Sequence, residues 1–339
     1  MQFLSDNAAL VHPRLWEAMR AADEVTLPYD GDDLSLGLDA RFAELFGRDC
    51  AVLWAATGTA ANCLALSALC PPHGGVLCHR EAHIETDEGG APGFYLHGAK
   101  LMLVEGEGAK VSAEALSAHA ANVRPDVHQV QPHVVSITQA SEYGRVYRAS
   151  EIAAIRALCD QRDWALHMDG ARFANAAAFL GEDAAMTAEA AARQAAGMVD
   201  ALTFGCVKNG GMGAEAIVLF DTGLADLVRV RRKRAGHLQS KGRYLAAQIH
   251  AMLDDDLWLA NAAKANAVAA QIARGAPDRL LHPVEANEVF LTCTANERDR
   301  LRAQGFGFYD WGAQAARFVT AWTAKPEDGE RFADAIAAL

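Results

Sequence analysis

The sequence predicts an α/β protein, with a mostly parallel central sheet in a large domain and a smaller C-terminal α+β domain. Three observations lead there. From Cys50 to Phe220, short apolar runs alternate with helical stretches, and such alternation implies parallel pairing through right-handed crossovers. The 339 residues are 51% hydrophobic and 22% charged, enough to build a sizeable core. Beyond about Tyr244 the pattern changes to a long helix, two strands and a closing helix. The expected division is an arm at 1–14, a large domain at 15–243 and a small domain at 244–339.

Taken in order, the arm has little periodicity up to residue 12, and a helix runs from about Pro13 to Ala22, with the proline suited to its first turn. An acidic loop from Tyr29 leads to an amphipathic helix carrying Leu38, Phe42, Leu45 and Phe46. The strand Cys50 to Trp54, the turn Ala56-Thr-Gly-Thr59 and a helix through Leu69 follow. A glycine-bearing turn from strand into helix aims backbone N–H groups at one spot, which suits a phosphate. The alternative is a simple helix cap, with Thr57 or Thr59 as the capping residue. Beyond the strand Val76 to Cys78, His83 lies among carboxylates in Glu81-Ala-His-Ile-Glu-Thr-Asp-Glu88. The strand Leu101 to Val104, a helix from Ser112 to Asn122 and the strand Val134 to Ile137 continue the alternation, with His128 and Gln139 beside the last strand.

A helix from Ala149 to Gln161 then leads to Trp164-Ala-Leu-His-Met-Asp-Gly-Ala-Arg172. It reads as a short buried strand that delivers His167 and Asp169 to its carboxyl end, with Gly170 allowing a sharp turn. After helical cover at Ala171 to Leu180 and Met186 to Ala195, the strand Ala201 to Gly205 ends just before Lys208-Asn-Gly. In open α/β sheets the carboxyl ends of strands are where ligands bind. A carboxylate and a lysine at two such ends suit pyridoxal phosphate. Its pyridine nitrogen needs an anion to stay protonated, and its aldehyde needs an amine for a Schiff base. The strand Ala216 to Phe220 precedes a basic helix, Arg229-Val-Arg-Arg-Lys-Arg234, read equally as an anion site or a solvated face. The small domain is expected to contain a strand at Val289 to Thr292 and another at Phe318 to Trp322.

Composition sets limits. A net charge of −12 argues against general nucleic-acid binding. Seven scattered cysteines without CxxC pairs read as thiols of a reducing compartment, with no disulfide frame and no metal site. The opening residues lack the basic start of a signal peptide, and the uncharged stretch Cys50 to His79 is broken by glycine, asparagine and Pro71-Pro72. A cytoplasmic protein without membrane contact is the expectation.

His-Met-Asp-Gly-Ala-Arg172 followed by Lys208-Asn-Gly, with Thr-Gly-Thr59 and Ala-His83 upstream, resembles the low-specificity L-threonine aldolases, in the β-eliminating-lyase branch of fold type I pyridoxal-phosphate enzymes. The resemblance runs from Ser5-Asp6 to Arg317-Phe-Val319. It implies reversible cleavage of β-hydroxy-α-amino acids to glycine and an aldehyde, with phenylserine cleavage or β-elimination from substituted serine or cysteine as alternatives. By that likeness Lys208 forms the Schiff base, Asp169 pairs with the pyridine nitrogen, and His83 stacks on the ring. Gly58 and Thr59 hold the phosphate, and Gln139 stands where many members have an asparagine beside the cofactor. Ser5, Arg172 and Arg317 clamp the substrate carboxylate, and His83, His128 or a water between them is the base. The likeness also implies a homotetramer or homodimer with shared sites. This chain departs from the pattern at Leu4, Asn7 and Val207.

Overall fold

The computed structural model describes residues 1–182 and 186–339. Seven strands form the main sheet: β1 (Ala51–Ala55), β2 (Gly74–His79), β3 (Lys100–Val104), β4 (Gln131–Thr138), β5 (Ala165–Gly170), β6 (Ala201–Phe204) and β7 (Glu215–Leu219). Their order is β1-β7-β6-β5-β4-β2-β3. Strands β3, β2, β4, β5 and β6 pair in parallel, while β7 runs antiparallel to both β6 and β1. The inner strands are buried along most of their length, which is why they read as continuous apolar runs rather than alternating ones. A three-stranded antiparallel sheet, β8 (Glu288–Thr292), β9 (Tyr309–Trp311) and β10 (Ala315–Val319), follows in the order β8-β10-β9.

Near the carboxyl end the structure departs from the expectations. The long helix is two helices, Arg243–Leu253 and Leu257–Arg274. Between them Asp255 and Asp256 adopt φ of 51° and 53°, and Asp254 and Asp255 are held by ion pairs to Arg41 (2.8 Å) and Arg14 (2.9 Å). The change of core does not fall at residue 244. Leu245, Ile249, Met252 and Trp258 belong to the large core, and Val268 and Ile272 to the second one, so the helix Leu257–Arg274 serves both. Strand β10 sits three residues earlier than expected. Thr320 ends it by donating its hydroxyl to the carbonyl of Ala265 (2.7 Å), and Trp322 turns away to donate to Leu10 O (2.9 Å). The arm is docked on its own chain: Phe3 is buried in the second core, and its N–H donates to Gly307 O at 2.7 Å.

Candidate active site

Strands β5 and β6 run side by side with Asp169 opposite Thr203. A Cβ at Gly170 would stand 2.4 Å from the Thr203 carbonyl oxygen, and one at Gly205 would stand 2.5 Å from that of Ala171. Close approach of the two strand ends therefore requires both glycines. Gly170 is still within its strand rather than at the sharp turn expected of it. The chain then makes one tight turn, Val207–Asn209, closed by Gly210 at φ 108°. Asn209 pins the turn by donating to Trp258 O (2.7 Å), while Asn261 donates to Asn209 O (3.0 Å). The result brings Asp169 and Lys208 to one cavity of about 280 Å³. The lysine makes no hydrogen bond among the described residues.

A chain of polar contacts runs along the wall. Asp169 accepts from Ala171 N (2.9 Å) and from Asn62 Nδ2 (2.8 Å), and the same amide donates to Glu88 Oε1 (3.1 Å). Glu88 in turn accepts from His83 Nδ1 at 3.0 Å. That hydrogen bond outweighs burial and lifts the His83 pKa above its ordinary value. Asn62 and Glu88 were not singled out from the sequence as site residues. The available signal was a lone amide in an alanine- and leucine-rich helix.

Toward the other end lies the start of the helix Gly58–Leu69. Thr57 is its cap, accepting from Ala60 N at 3.1 Å, and Gly58 and Thr59 line the cavity. Glu215 closes this end. Its Oε2 accepts from the N–H of Cys206 (2.5 Å) and of Val207 (3.4 Å), and burial raises its pKa to about 7.

The cavity opens into a second one of about 480 Å³ that shares Asn7, His83, Glu142, Arg172 and Lys208 with the first and adds Ser5, Tyr143, Tyr309, Trp311 and Arg317. Arg172 is buried and gripped by Asp6, with Nε to Oδ2 at 2.8 Å and Nη2 to Oδ1 at 3.1 Å. Burial disfavours its charge, but Asp6 and Glu288 more than offset this and its pKa is raised. Glu288 also takes both Nε (3.2 Å) and Nη2 (2.6 Å) of Arg317. Asn287 completes the group by donating to Asp6 at 3.0 Å.

Two expected residues stand elsewhere. His128 is exposed in the turn before β4, where its own N–H donates to Asp126 Oδ1 (2.9 Å), and it lines neither cavity. That turn is at the amino end of the strand, whereas the cavity lies at the carboxyl ends. Gln139 is fully buried and its side chain points away from the cavity. It accepts from Tyr147 N (2.9 Å) and donates to the carbonyls of Tyr147 (3.1 Å) and Ala195 (3.2 Å), while its neighbours Thr138 and Ala140 face the cavity.

Residues 2–296 match the model of the beta-eliminating lyase family. The chain belongs to that family. It is 43% identical over 328 residues to a low-specificity L-threonine aldolase of Pseudomonas sp. (strain NCIMB 10558), covering 95% of this chain and 92% of that one. The same-named protein of Pseudomonas aeruginosa is 43% identical over 327 residues, with the same coverage. Among solved structures, the Leishmania major threonine aldolase matches with a TM-score of 0.89 at 25% identity, covering 99% of this chain and 98% of that one. This beta-eliminating lyase therefore has the fold of the type I pyridoxal-phosphate enzymes, and pyridoxal phosphate is its cofactor. The residues present fit the group: an acid and an amine without a partner among the described residues on one cavity, with a helix amino terminus at its other end.

Proposed function

We propose that this chain cleaves β-hydroxy-α-amino acids of the L-threonine and L-allo-threonine type reversibly to glycine and an aldehyde. One observation carries the reading: the cavity holding Asp169 and Lys208 opens directly onto Arg317, so an amino group and a carboxylate of one small molecule have partners a short span apart. The names of the relatives agree with it.

The bound cofactor supplies a protonated ring that accepts the electron pair of a bond broken at Cα. Asp169, oriented by Asn62 and Ala171 N–H, would hold the proton at the ring nitrogen. Lys208, whose amine lines the cavity, would hold the cofactor through its aldehyde. Gly58 and Thr59, at the positive end of their helix, take the phosphate. Arg317 and Arg172, with Ser5 beside them, would bind the carboxylate, and fixing amine and carboxylate together would select which bond at Cα is broken. His83, its Nδ1 fixed by Glu88, would cover the ring.

Phenylserine-type substrates are favoured by a specific feature. Tyr143, Tyr309 and Trp311 give the outer cavity an aromatic side, with Trp311 and Tyr143 ring centroids 5.9 Å apart. Supplying the holoenzyme with L-threonine, L-allo-threonine and phenylserine tests the whole reading. Glycine plus the matching aldehyde is the expected outcome, and pyruvate or another keto acid with ammonia would replace aldol cleavage by elimination.

The chain is further read as a homo-oligomer, dimeric or tetrameric, with shared sites; exposed Val25, Leu27 and Leu36 support a subunit contact, which sedimentation would detect. A cytoplasmic setting suits seven unpaired, buried cysteines.

A further inference from the structure

The proposed aldol cleavage requires a group that takes the β-hydroxyl proton, and the inference drawn next rests on that reading. His128 lies outside the cavity formed by this chain. His83 has Nδ1 on Glu88, and the proposed function assigns its ring to covering the cofactor, which turns attention to the carboxylates of the cavity.

Four carboxylates line the inner cavity: Glu88, Glu142, Asp169 and Glu215. Three are occupied, by His83 and Asn62, by Asn62 and Ala171 N–H, and by the N–H groups of Cys206 and Val207. The Glu142 side chain alone has no hydrogen-bond or ion-pair partner among the described residues. It also lines both cavities, so it stands where cofactor end and substrate end meet.

Its backbone is held firmly. Glu142 follows β4 in a turn closed by Gly144 N–H to Ser141 O (2.8 Å) and Ser141 N–H to Arg145 O (2.8 Å). Ser141 Oγ donates to Gly108 O (2.6 Å), and the next side chain, Tyr143, stacks on His282 with centroids 4.6 Å apart. A free carboxylate on a fixed turn, aimed at a reaction cavity, is the arrangement that proton transfer needs.

We propose that Glu142 is the base that accepts the β-hydroxyl proton of the substrate. As it does so, the O–H bonding pair becomes the second C–O bond of the departing aldehyde. The Cα–Cβ bond breaks, and its pair remains with the α-carbon of the glycine fragment, which the cofactor would stabilise. In the synthetic direction Glu142 returns the proton to the new hydroxyl.

The surroundings support this. Burial raises the Glu142 pKa; Lys208 and Arg172 oppose the rise, and Asp169 and Glu288 add to it, with His83 and Tyr143 as the other titratable neighbours. A carboxylate with raised proton affinity is a better base near neutral pH than an ordinary one.

The test uses the holoenzyme and the variants Glu142→Gln and Glu142→Asp. Threonine cleavage is followed against pH, and exchange of the glycine α-hydrogen in heavy water by NMR. In that partial reaction no hydroxyl proton moves. Glu142→Gln is expected to lose roughly 10²–10³-fold in kcat, with KM little changed and the ascending limb of the pH profile gone. Exchange into glycine persists, and Glu142→Asp recovers part of the loss. A Glu142→Gln enzyme with kcat within about threefold of the parent would overturn the assignment. So would loss of glycine exchange in step with cleavage, which would mark a structural role. A parent enzyme that exchanges glycine yet forms only keto acid and ammonia would instead sink the aldolase reading itself.

Discussion

Asp169 stands near the end of β5 and Lys208 in the turn that follows the neighbouring parallel strand β6, each placed by its own short segment, whereas the mouth of the cavity draws Ser5 from one end of the chain and Tyr309, Trp311 and Arg317 from the other. The inner end is a rigid relay: Asp169, Asn62, Glu88 and His83 are joined by contacts of 2.8 to 3.1 Å. The mouth is a balance of charges in which Asp6 and Glu288 partly neutralise Arg172 and Arg317. The difference teaches that cofactor chemistry is built where the backbone is least able to move. Substrate selection falls to a border between two cores.

The largest effect expected from breaking this contrast is at Lys208. Lys208→Ala should remove the visible absorbance of the bound cofactor and lower cleavage on the order of 10⁴-fold or more, because a covalent anchor is lost. An enzyme keeping both would remove the lysine from its proposed role.

His167 sharpens the contrast through pH. It lies one step below Asp169 on the same face, fully buried and held by Ser136 Oγ at 2.9 Å, and burial lowers its pKa from 6.5 to about 4. A depressed pKa means that the folded state binds the proton less readily than the unfolded one. The stability it contributes is present above pH 6.5 and is lost as pH falls toward 4, a difference worth roughly 3 kcal/mol. Urea unfolding across that range should show the loss in the parent and a smaller one in His167→Asn. Parallel curves would assign acid sensitivity to other groups.

At the mouth, Arg317→Ala should raise KM for the amino acid by roughly 10–100-fold, the value of a charge-assisted hydrogen bond. Cofactor content should stay constant. Unchanged KM would place the carboxylate elsewhere.

The smallest effect tests the relay. Glu88→Gln weakens the hydrogen bond that lifts His83, so the imidazole pKa, read by NMR, should fall toward its ordinary value while activity drops about tenfold. A His83 pKa that stays put would show that Glu88 does not control it.

Much of the cofactor end was legible because strand, turn and glycine signals act locally. The run ending at Asp169, the turn before the helix Gly58–Leu69 and Lys208-Asn-Gly each carry their meaning within a few residues. Glu142, Asp6 and Glu288 were not legible: a glutamate in a loop has the same local appearance whether solvated or aimed into a cavity. His128 and Gln139 show the reverse case, in which the resemblance names a position and the fold turns the side chain elsewhere.

By itself the sequence determined the order of strands and helices, the acid, the amine and the helix turn, because hydrophobic periodicity and backbone sterics depend on near neighbours. Only the tertiary structure decided which cavity carboxylates are occupied and which one has no partner among the described residues. That choice depends on contacts such as Asp6 with Arg172 and Asn287, between segments far apart in the chain, and no local pattern encodes them.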